Sequence, residues 1–557
     1  MRNWSLADLW PRLAGPAEAR VAATDALPHW RCLKAEPKQQ GSVERGRALS
    51  RGVYSADGEE IEIPDGDIWN LAALRAELHG FAWLDDLAAY RGSDAVALAK
   101  RWVFDWMRGR TGGQEAAWLP HIAGRRVVRL RHAEFMLLAM AGTGERAEFA
   151  ESIRLHARRL RKLHGNATVG LPRVEALAGL LYAELSTGGR LRSAQDAARR
   201  LGETGRTLIV PDKGLDSRNP EELLGIACLL DWCAALLASA GCLAPRALID
   251  TIGESVSILR LLRHADGSLA RFQGGGNPDP GRLDRLLASR PGAVPALAMG
   301  YARMASGGVS VIVDAAAPLT GWNSHSAHAS TAAFEMVSGR CPMVVNMGPG
   351  AGFDAETQRR ARATGAHSTV EIDAQSSSRL SAPVLQKAGR EEIIVVCPDD
   401  IRIEQLPGDE GVTVIVSHNG YVPLFGLTHL RRLDLRPDGG RLWAEDTIWA
   451  RSDEDRLVFD GALAGTGRSN LPFALRFHMH PDCGLKQLGV KEVGISLANG
   501  EMWRFRLEGA AQPTLEPSRY LDEGSGRICD SRQIVCYAEF EKGTAQLRWE
   551  IERVANG

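Results

Sequence analysis

The spacing of apolar residues along this chain of 557 residues changes near residue 305, and this change most constrains the fold. Before that point apolar residues recur every three or four positions, as in the segment 97–110 with Leu98, Trp102, Val103 and Trp106. Such spacing places them on one face of a helix. Beyond it, the β-branched run at 309–313 begins a series of short alternating segments. Helices followed by strands predict two segregated domains.

The first part of the chain reads as a series of helical hairpins. Residues 146–163 form an amphipathic segment with a basic outer face, whereas residues 173–185 and 221–240 are apolar almost all round. Helices of the second kind are buried and stack on one another. Turn signals separate them at 164–166, 187–189 and 217–220. A bundle, a solenoid and an α/α toroid all fit this pattern, but the missing fixed-period motif disfavours tetratricopeptide-type arrays.

The second part reads as short strands. Residues 331–347 predict two strands around Ser338-Gly339-Arg340, and further hairpin signals occur at 437–440 and 498–500. The pattern continues to Trp549 and is typical of a β-sandwich. We therefore predict an α+β multidomain chain, with a helical domain over 1–300 and an antiparallel β-sandwich over 305–557.

Charge and cysteine content narrow the partners and the compartment. A net charge of -1, from 67 basic and 68 acidic residues, gives no reason to expect nucleic acid or an anionic membrane, although a local basic patch could bind an acidic substrate. No run of about 18 apolar residues predicts a transmembrane segment. The nine cysteines lack CxxC spacing, which favours reduced, buried thiols. The N-terminus lacks an apolar signal segment, so we expect a cytoplasmic protein, with the periplasm as the alternative.

The densest group of chemically capable residues lies at the start of the strand-rich part. His325 and His328 precede one predicted strand, Asn346 ends the next, and Arg362 and His367 precede a third. Such positions can meet at one edge of an antiparallel sheet. Two imidazoles and an oxygen ligand would suit Zn²⁺, or the same groups could orient a sugar. Because the chain has 14 histidines, scattered surface and core histidines are the alternative.

A second group lies in the helical part. Asn166 follows a glycine at a helix start, and a polar loop contains Ser217, Arg218 and Asn219 ahead of Pro220. Ordinary capping explains much of this loop, with Ser217 or Asn219 as N-cap and Pro220 in the first turn. Capping does not require Arg218.

Several segments together resemble the heparinase II/III group of polysaccharide lyases. The pieces 327–336, 344–348 and 362–370 are similar to the family's His-Ala-x-x-Gly-x-x-Phe-Glu segment, its Val-x-Gly strand end and its Arg-x-Thr-x-x-His-Asn/Ser-Thr run. Further similar pieces are 217–220, 266–268, 418–421, 429–433 and 477–481. The resemblance spans nearly the whole chain. It implies an α/α toroid, an incomplete barrel of helical hairpins, packed against a β-sandwich with a cleft between them.

The resemblance also implies a chemistry, the cleavage of uronate-containing glycans by β-elimination. Hydrogen bonds neutralise the uronate carboxylate, a base removes the C5 proton and an acid protonates the leaving oxygen. Asn166 matches the carboxylate-binding residue, and His325 or His328 would be the base. His328, Asn346 and His367 match a metal site, taken here as Zn²⁺. Arg218, Asn219, Arg362 and His480 are then expected to bind an acidic glycan.

The sequence departs from the family pattern at several positions. Ala167 and Ser326 stand where histidines are expected, and the stretch 217–224 has no tyrosine, while Tyr182 and Tyr301 lie outside it. Asn346 is neutral, which weakens a zinc site. Three functions stay open: a lyase, a non-lytic carbohydrate-binding protein that kept the cleft, and another glycan-processing enzyme with a rearranged site.

Overall fold

The computed structural model describes residues 41–554, apart from the short gaps 57–58, 72–75, 110–114, 188–190, 212, 277–279, 387–388, 409–410, 523–525 and 542. The predicted turn at 187–189 and the Gly/Pro-rich stretch at 274–280 fall partly outside the described residues. Within them, helices precede strands, as the sequence predicts.

The helical half of the described chain contains eleven α-helices. They are α1 (Val43–Ser50), α2 (Ala82–Tyr90), α3 (Ser93–Met107), α4 (Pro120–His132), α5 (Glu134–Leu138), α6 (Thr143–Leu163), α7 (Leu171–Ser186), α8 (Leu191–Leu208), α9 (Pro220–Ser239), α10 (Arg246–Leu261) and α11 (Pro280–Ser289). Two small hairpins accompany them: β1 (Val53–Ala56) with β2 (Glu59–Glu62), and β3 (Ile209–Val210) with β4 (Gly214–Leu215). The predicted stripe of α3 is buried at Trp102, Val103 and Trp106 in the core of this half.

Helix α9 shows how the local sequence sets an element. The Asn219 side chain accepts hydrogen bonds from the backbone N–H groups of Glu221 and Glu222 at 2.9 and 3.0 Å, and Pro220 occupies the first turn, where it has no N–H to leave unpaired. Of the described helices, α9 alone has the length and hydropathy of a membrane span, but 67% of its apolar window is buried inside the protein. It packs as a core helix between α7, α8 and α10.

The strand-rich half forms two large antiparallel sheets. Its strands are β5 (Leu297–Ala298), β6 (Tyr301–Ser306), β7 (Val309–Asp314), β8 (Phe334–Ser338), β9 (Cys341–Val345), β10 (Val370–Ile372), β11 (Arg379–Leu380), β12 (Val384–Gln386), β13 (Gly389–Glu391), β14 (Ile394–Val396), β15 (Ile401–Gly408), β16 (Gly411–Tyr421), β17 (Leu427–Leu435), β18 (Arg441–Trp449), β19 (Leu471–Met479), β20 (Gly484–Gly489), β21 (Glu492–Ser496), β22 (Met502–Leu507), β23 (Pro513–Asp522), β24 (Arg527–Phe540) and β25 (Thr544–Arg553). Three helices interrupt them: α12 (Ala355–Arg362), α13 (Val422–Phe425) and α14 (Asp453–Thr466).

The sheet order explains where the core lies. The first sheet runs β23-β24-β19-β9-β8-β7-β6-β5, with β10 also paired to β19, and the second runs β15-β16-β17-β18-β25-β22-β21-β20. The predicted hairpins at 338–340, 437–440 and 498–500 join β8 to β9, β17 to β18 and β21 to β22. Aromatic rings fill the space between the sheets, where Phe477 and Trp549 meet edge to face at 4.6 Å. The predicted α+β, helix-then-sandwich class is confirmed.

The other face of the first sheet packs against the helical half. Ile312 of β7 and Ala333, just before β8, belong to the helical core rather than to the sandwich core. The first strand begins at Leu297, so the predicted change near 305 falls inside β6. Three residues predicted to carry chemistry, Arg218, His325 and His328, lie along this domain boundary.

Candidate functional site at the domain boundary

Two buried histidines face each other beside the first sheet. His328 Nδ1 lies 3.1 Å from His367 Nε2, and we refer to these residues as the inner histidine pair. The outer nitrogens, His328 Nε2 and His367 Nδ1, donate to the carbonyl oxygens of Pro349 and Ala363 at 3.2 and 2.8 Å. A neutral imidazole has one N–H, so these two bonds use both protons. With these tautomers the inner contact joins two lone pairs, which a proton or a cation would bridge. With the other tautomer of His328, its Nδ1–H donates to His367 Nε2 and the Pro349 contact has no proton.

Burial keeps both rings neutral. Burial, together with the neighbouring His367 and Arg362, lowers the pKa of His328 well below its usual value. Burial also lowers the pKa of His367 to about 4, although its hydrogen bond to Ala363 opposes the shift. An added shared proton is therefore disfavoured near neutral pH. Imidazoles held from behind by carbonyl oxygens are typical of metal ligands, and two neutral rings can also hydrogen-bond to each other directly.

A second pair of histidines in the sandwich shows the contrast. The N–H of Gly420 donates to His418 Nδ1, so His418 Nε2 carries a proton and donates to His429 Nδ1 at 3.2 Å. His429 Nε2 then donates to Asp446 at 2.8 Å. This relay pair, His418 and His429, satisfies every ring nitrogen with two neutral rings, so it needs no added cation.

The third predicted metal ligand is already engaged. Asn346 Oδ1 accepts a hydrogen bond from the Ser368 N–H at 3.2 Å, and its Nδ2 donates to Glu335 at 3.2 Å. The amide oxygen carries no charge, and the described residues contain no group of three His, Cys, Asp or Glu side chains placed to hold a metal. The inner histidine pair could supply two imidazole ligands to a metal ion, and Asn346 adds little to it.

The two remaining candidates for catalysis lie apart from the pair. His325 is exposed in the loop after β7, and Asn166 is exposed in the turn after α6. No hydrogen bond or ion pair within the described residues joins Asn166 to His325 or His328. The loop of His325 does touch the helical half, because a Cβ on Gly274 would lie 2.7 Å from the Ser326 carbonyl oxygen. His325 is therefore at the domain boundary, with an accessible imidazole.

Arg218 lies within the boundary rather than in an open cleft. It is 7% exposed, and it forms an ion pair with Asp314 of β7. All of its N–H groups have acceptors within the protein, the others being the carbonyl oxygens of Met299, Gly300, Ala316 and Ala317. This placement argues against the predicted role of Arg218 in substrate binding, because binding a carboxylate would break these contacts.

Asp314 gathers residues from both halves. Besides Arg218, it accepts hydrogen bonds from Gln273 and Ser330 at 2.9 and 2.6 Å. Arg218, Gln273 and Met299 have φ angles of 55°, 50° and 51°, a left-handed conformation that costs a non-glycine residue about 1–2 kcal/mol. Three such residues around one carboxylate indicate that the network over-determines the backbone there.

Arg362 and Asn219 also have structural partners. Arg362 is 4% exposed and donates to the carbonyl oxygens of Ser324, Ala327 and Glu392 at 2.7, 2.9 and 2.8 Å, which fixes the loop that contains His325. The Asn219 oxygen caps α9. The contacts of Arg362 argue against its predicted role in binding an acidic glycan, whereas Asn219 also lines a cleft of the helical half. His480, in contrast, lines a small cavity on the face of the first sheet that packs against the helical half.

Comparison with known proteins adds the family. Residues 288–550 match the model of the family "Heparinase II/III-like, C-terminal". This match covers the strand-rich half of the chain. Solved structures share the whole architecture: a heparinase III superposes with a TM-score of 0.68 at 13% identity over 96% of this chain and 87% of that one, and a heparan sulfate lyase from Pedobacter heparinus with 0.56 at 14% over 94% and 86%.

A curated relative also matches along the chain. It is FtsZ-localized protein C of Caulobacter vibrioides, 29% identical over 564 aligned positions that cover 97% of this chain and 93% of the relative. This match, unlike the family model, extends over the helical half as well.

The two tyrosines considered in the sequence analysis, Tyr182 and Tyr301, are poorly placed for acid–base catalysis. Tyr182 and Tyr301 are 2% and 0% exposed, and burial raises the pKa of both well above the usual value. The Tyr182 hydroxyl lies 3.1 Å from His132 inside the helical core, and Tyr301 donates to the Arg218 carbonyl oxygen. Ala167 is buried as well.

A cleft in the helical half has balanced charge. It has a volume of about 310 Å³ and is lined by Trp232, by three arginines and by three glutamates: Arg125, Arg129, Arg282, Glu175, Glu221 and Glu222. Arg125 pairs with Glu175, and Arg129 pairs with Asp85. The basic groups are thus largely neutralised, which does not favour a polyanion there.

Sequence reasoning missed several buried groups at the boundary. Glu335 and His478 lie within the segments that resemble the family, but no role was predicted for them. His478 Nε2 donates to the Gly365 carbonyl oxygen at 3.0 Å, and burial, followed by the neighbouring His367, lowers the pKa of His478 to about 3. These groups come together only because three separate segments pack on one sheet face, and the sequence alone does not show that packing.

Buried neutral histidines predict a pH dependence of stability. The pKa of His478 is about 3 in the folded chain and about 6.5 when unfolded, so below pH 6.5 the unfolded chain takes up the proton more readily. The contribution of neutral His478 to the free energy of unfolding is fully present above pH 6.5. It falls by up to about 1.4 kcal/mol per pH unit as the pH is lowered toward 3. Urea unfolding at pH 7, 6 and 5 measures the slope. His478→Gln should reduce the slope by the part that one buried neutral histidine contributes. An unchanged slope would contradict the lowered pKa of His478.

Proposed function

We propose that this chain is a non-lytic heparinase II/III-like protein that localises with FtsZ. The observation that carries the proposal is the match to FtsZ-localized protein C, which extends through both halves of the two proteins. Localisation with FtsZ would place the protein in the cytoplasm.

The site supports a non-lytic role. An elimination needs a base, an acid and a positive group for the uronate carboxylate in one accessible cleft. Here Arg218 and Arg362 donate to carbonyl oxygens, and Tyr182 and Tyr301 are buried. Within the described part of the chain, no hydrogen bond or ion pair joins Asn166 to His325. The fold is retained while its polar residues stabilise the domain boundary.

The test is co-sedimentation of the purified chain with polymerised FtsZ from the same organism. We expect saturable recovery in the pellet with polymers and none with unpolymerised FtsZ. A fluorescent fusion should gather at the same cellular position as FtsZ. A chain that stays in the supernatant at all FtsZ concentrations and is diffuse in cells would overturn the proposal.

A lyase that acts on an acidic glycan is the second candidate. It is favoured by the accessible imidazole of His325 at the boundary of a heparinase-like fold. Ultraviolet absorbance of the unsaturated product, followed over a panel of glycosaminoglycans and alginate, tests it. Activity that disappears in His325→Ala would establish a lyase, and absence of signal across the panel would leave the non-lytic function.

We further propose that His328 and His367, the inner histidine pair, would hold Zn²⁺ or a similar divalent ion. When bound, the ion would supply a fixed positive charge at the sheet edge. Metal analysis of the purified chain should find it, and His367→Ala should lose it. His418→Ala, in the relay pair, is the matched control and should retain the metal. Equal metal content in both variants and the parent chain would refute the site.

A further inference from the structure

A buried arginine faces a small cavity on the face of the first sheet that packs against the helical half. Arg271 lies in the segment after α10 and is 7% exposed. Its Nη2 donates to the Leu521 carbonyl oxygen, and its guanidinium lies 4.1 Å from the ring centroid of Tyr520. Its Nε and Nη1 are buried without a hydrogen-bond partner. A buried N–H without an acceptor costs free energy, so native structures normally supply a water or an ion.

The chain holds this arginine in place. A turn at Asp266-Gly267-Ser268 brings the two sides of the segment together, and the Ala270 N–H donates to the Leu262 carbonyl oxygen at 2.9 Å. The Arg271 backbone N–H donates to Glu335 at 3.0 Å. On the other side Gly348 gives the guanidinium room, because a Cβ there would lie 2.6 Å from Nη2. These contacts hold the unpartnered N–H groups of Arg271 in one position.

The cavity itself is small and partly polar. It has a volume of about 70 Å³, and its lining includes Arg271, His480, Tyr520 and Glu335. His480 accepts the Asp482 N–H at Nδ1, so its proton is on Nε2, which is a second donor. One water molecule needs roughly 10–15 Å³ of such a cavity. A cavity of this volume therefore has room for a group of about five heavy atoms.

The acidic residues near the cavity are already engaged. Both oxygens of Glu335 accept hydrogen bonds, one from Asn346 and the other from His264 and the Arg271 backbone. Asp266, at the half-exposed turn, accepts from the N–H and hydroxyl of Ser268 through Oδ1. The buried side-chain atoms of the cavity lining that lack a hydrogen-bond partner are the Nε and Nη1 of Arg271. Donors on a guanidinium match oxyanions, whose oxygens accept several hydrogen bonds at once.

We propose that this cavity binds a small oxyanion, a carboxylate, phosphate or sulfate group, through Arg271 and His480. The group could be a free anion or the end of a larger molecule. The site lies between the segment after α10 and strands β8, β9 and β23, so a bound anion would join the two halves of the chain. It does not depend on localisation with FtsZ.

Thermal melting and calorimetry with phosphate, sulfate, acetate and glucuronate, against chloride at matched ionic strength, test the proposal. We expect saturable stabilisation by at least one oxyanion. Arg271→Met should weaken that affinity at least tenfold, and His480→Phe, which keeps the ring contact with Tyr520, by about threefold to tenfold. Arg303→Met is the control, since the Arg303 Nε is also buried without a partner but Arg303 does not line the cavity.

The outcomes separate the alternatives. Preference for glucuronate indicates the carboxylate of a sugar acid, whereas preference for phosphate or sulfate indicates a free or esterified tetrahedral anion. If Arg271→Met fails to fold, His480→Phe alone decides, because His480 is half-buried and its removal leaves the core intact. Equal stabilisation by chloride and all oxyanions, or unchanged affinity in both variants, would mean that the cavity holds water only and would overturn the site.

Discussion

Arg218→Ala should lower the free energy of unfolding by about 3–5 kcal/mol, the cost of leaving one partner of a buried ion pair uncompensated. The substitution removes every contact of the guanidinium and leaves Asp314, which is 0% exposed, without its counter-charge. Urea unfolding monitored by tryptophan fluorescence measures the change. The large effect is expected because the charge is buried between two domains, not because it touches a ligand.

Two further variants make this result interpretable. Arg154→Ala removes a surface arginine that pairs with Glu151, and it should leave the transition almost unchanged because exposed ion pairs contribute little. Adding Asp314→Asn to Arg218→Ala should recover part of the loss, since the unpaired charge disappears. If Arg218→Ala is as mild as Arg154→Ala, the boundary network does not stabilise the fold.

Asp446→Ala should be similarly damaging, by about 3–5 kcal/mol, at the centre of the sandwich. Although burial alone would raise the pKa of Asp446, Arg431 and His429 lower it below its usual value, so the carboxylate is charged. It accepts from Arg431, from His429 at 2.8 Å and from the Trp549 indole at 2.8 Å. Removal leaves the fully buried Arg431 guanidinium without an anion.

Near-ultraviolet circular dichroism and urea unfolding together measure the effect of Asp446→Ala. Asp434→Ala is the matched control. Asp434 is also an aspartate of this sheet, in the neighbouring strand β17, but it pairs with Arg432 at the surface. We expect the control to unfold close to the parent chain. Equal effects of the two substitutions would show that the buried charge contributes no more than a surface one.

The order of elements could be predicted from the sequence because periodicity is local. Residues 146–163 and 221–240 correspond to most of α6 and α9, and the turn at 338–340 does separate β8 from β9. Asp446 could also have been found this way. In the alternating strand β18, Leu442, Ala444 and Ile448 face the core, so a carboxylate between them at the same spacing must be paired.

The roles of site residues could not be predicted as well, because they depend on which segments meet. Arg218 looks like a loop arginine in the sequence, yet its partner Asp314 is 96 positions away. The inner histidine pair was predicted as neighbours, and the two rings do meet. Their tautomers, which decide whether a cation is needed, depend on the Pro349 and Ala363 carbonyl oxygens, and no motif encodes these contacts.

The packing of Ile312 and Ala333 into the helical core has a practical consequence. A fragment cut between α11 and β5 would expose that apolar face and separate Arg218 from Asp314, so neither piece would keep the interactions it has in the intact chain. Because packing and a buried ion pair cross the boundary, we expect the two halves to unfold in a single cooperative transition, although their architectures differ. Deletion mapping of partner binding would therefore report misfolding of the fragments, and point substitutions on the surface are the sounder way to locate an interface.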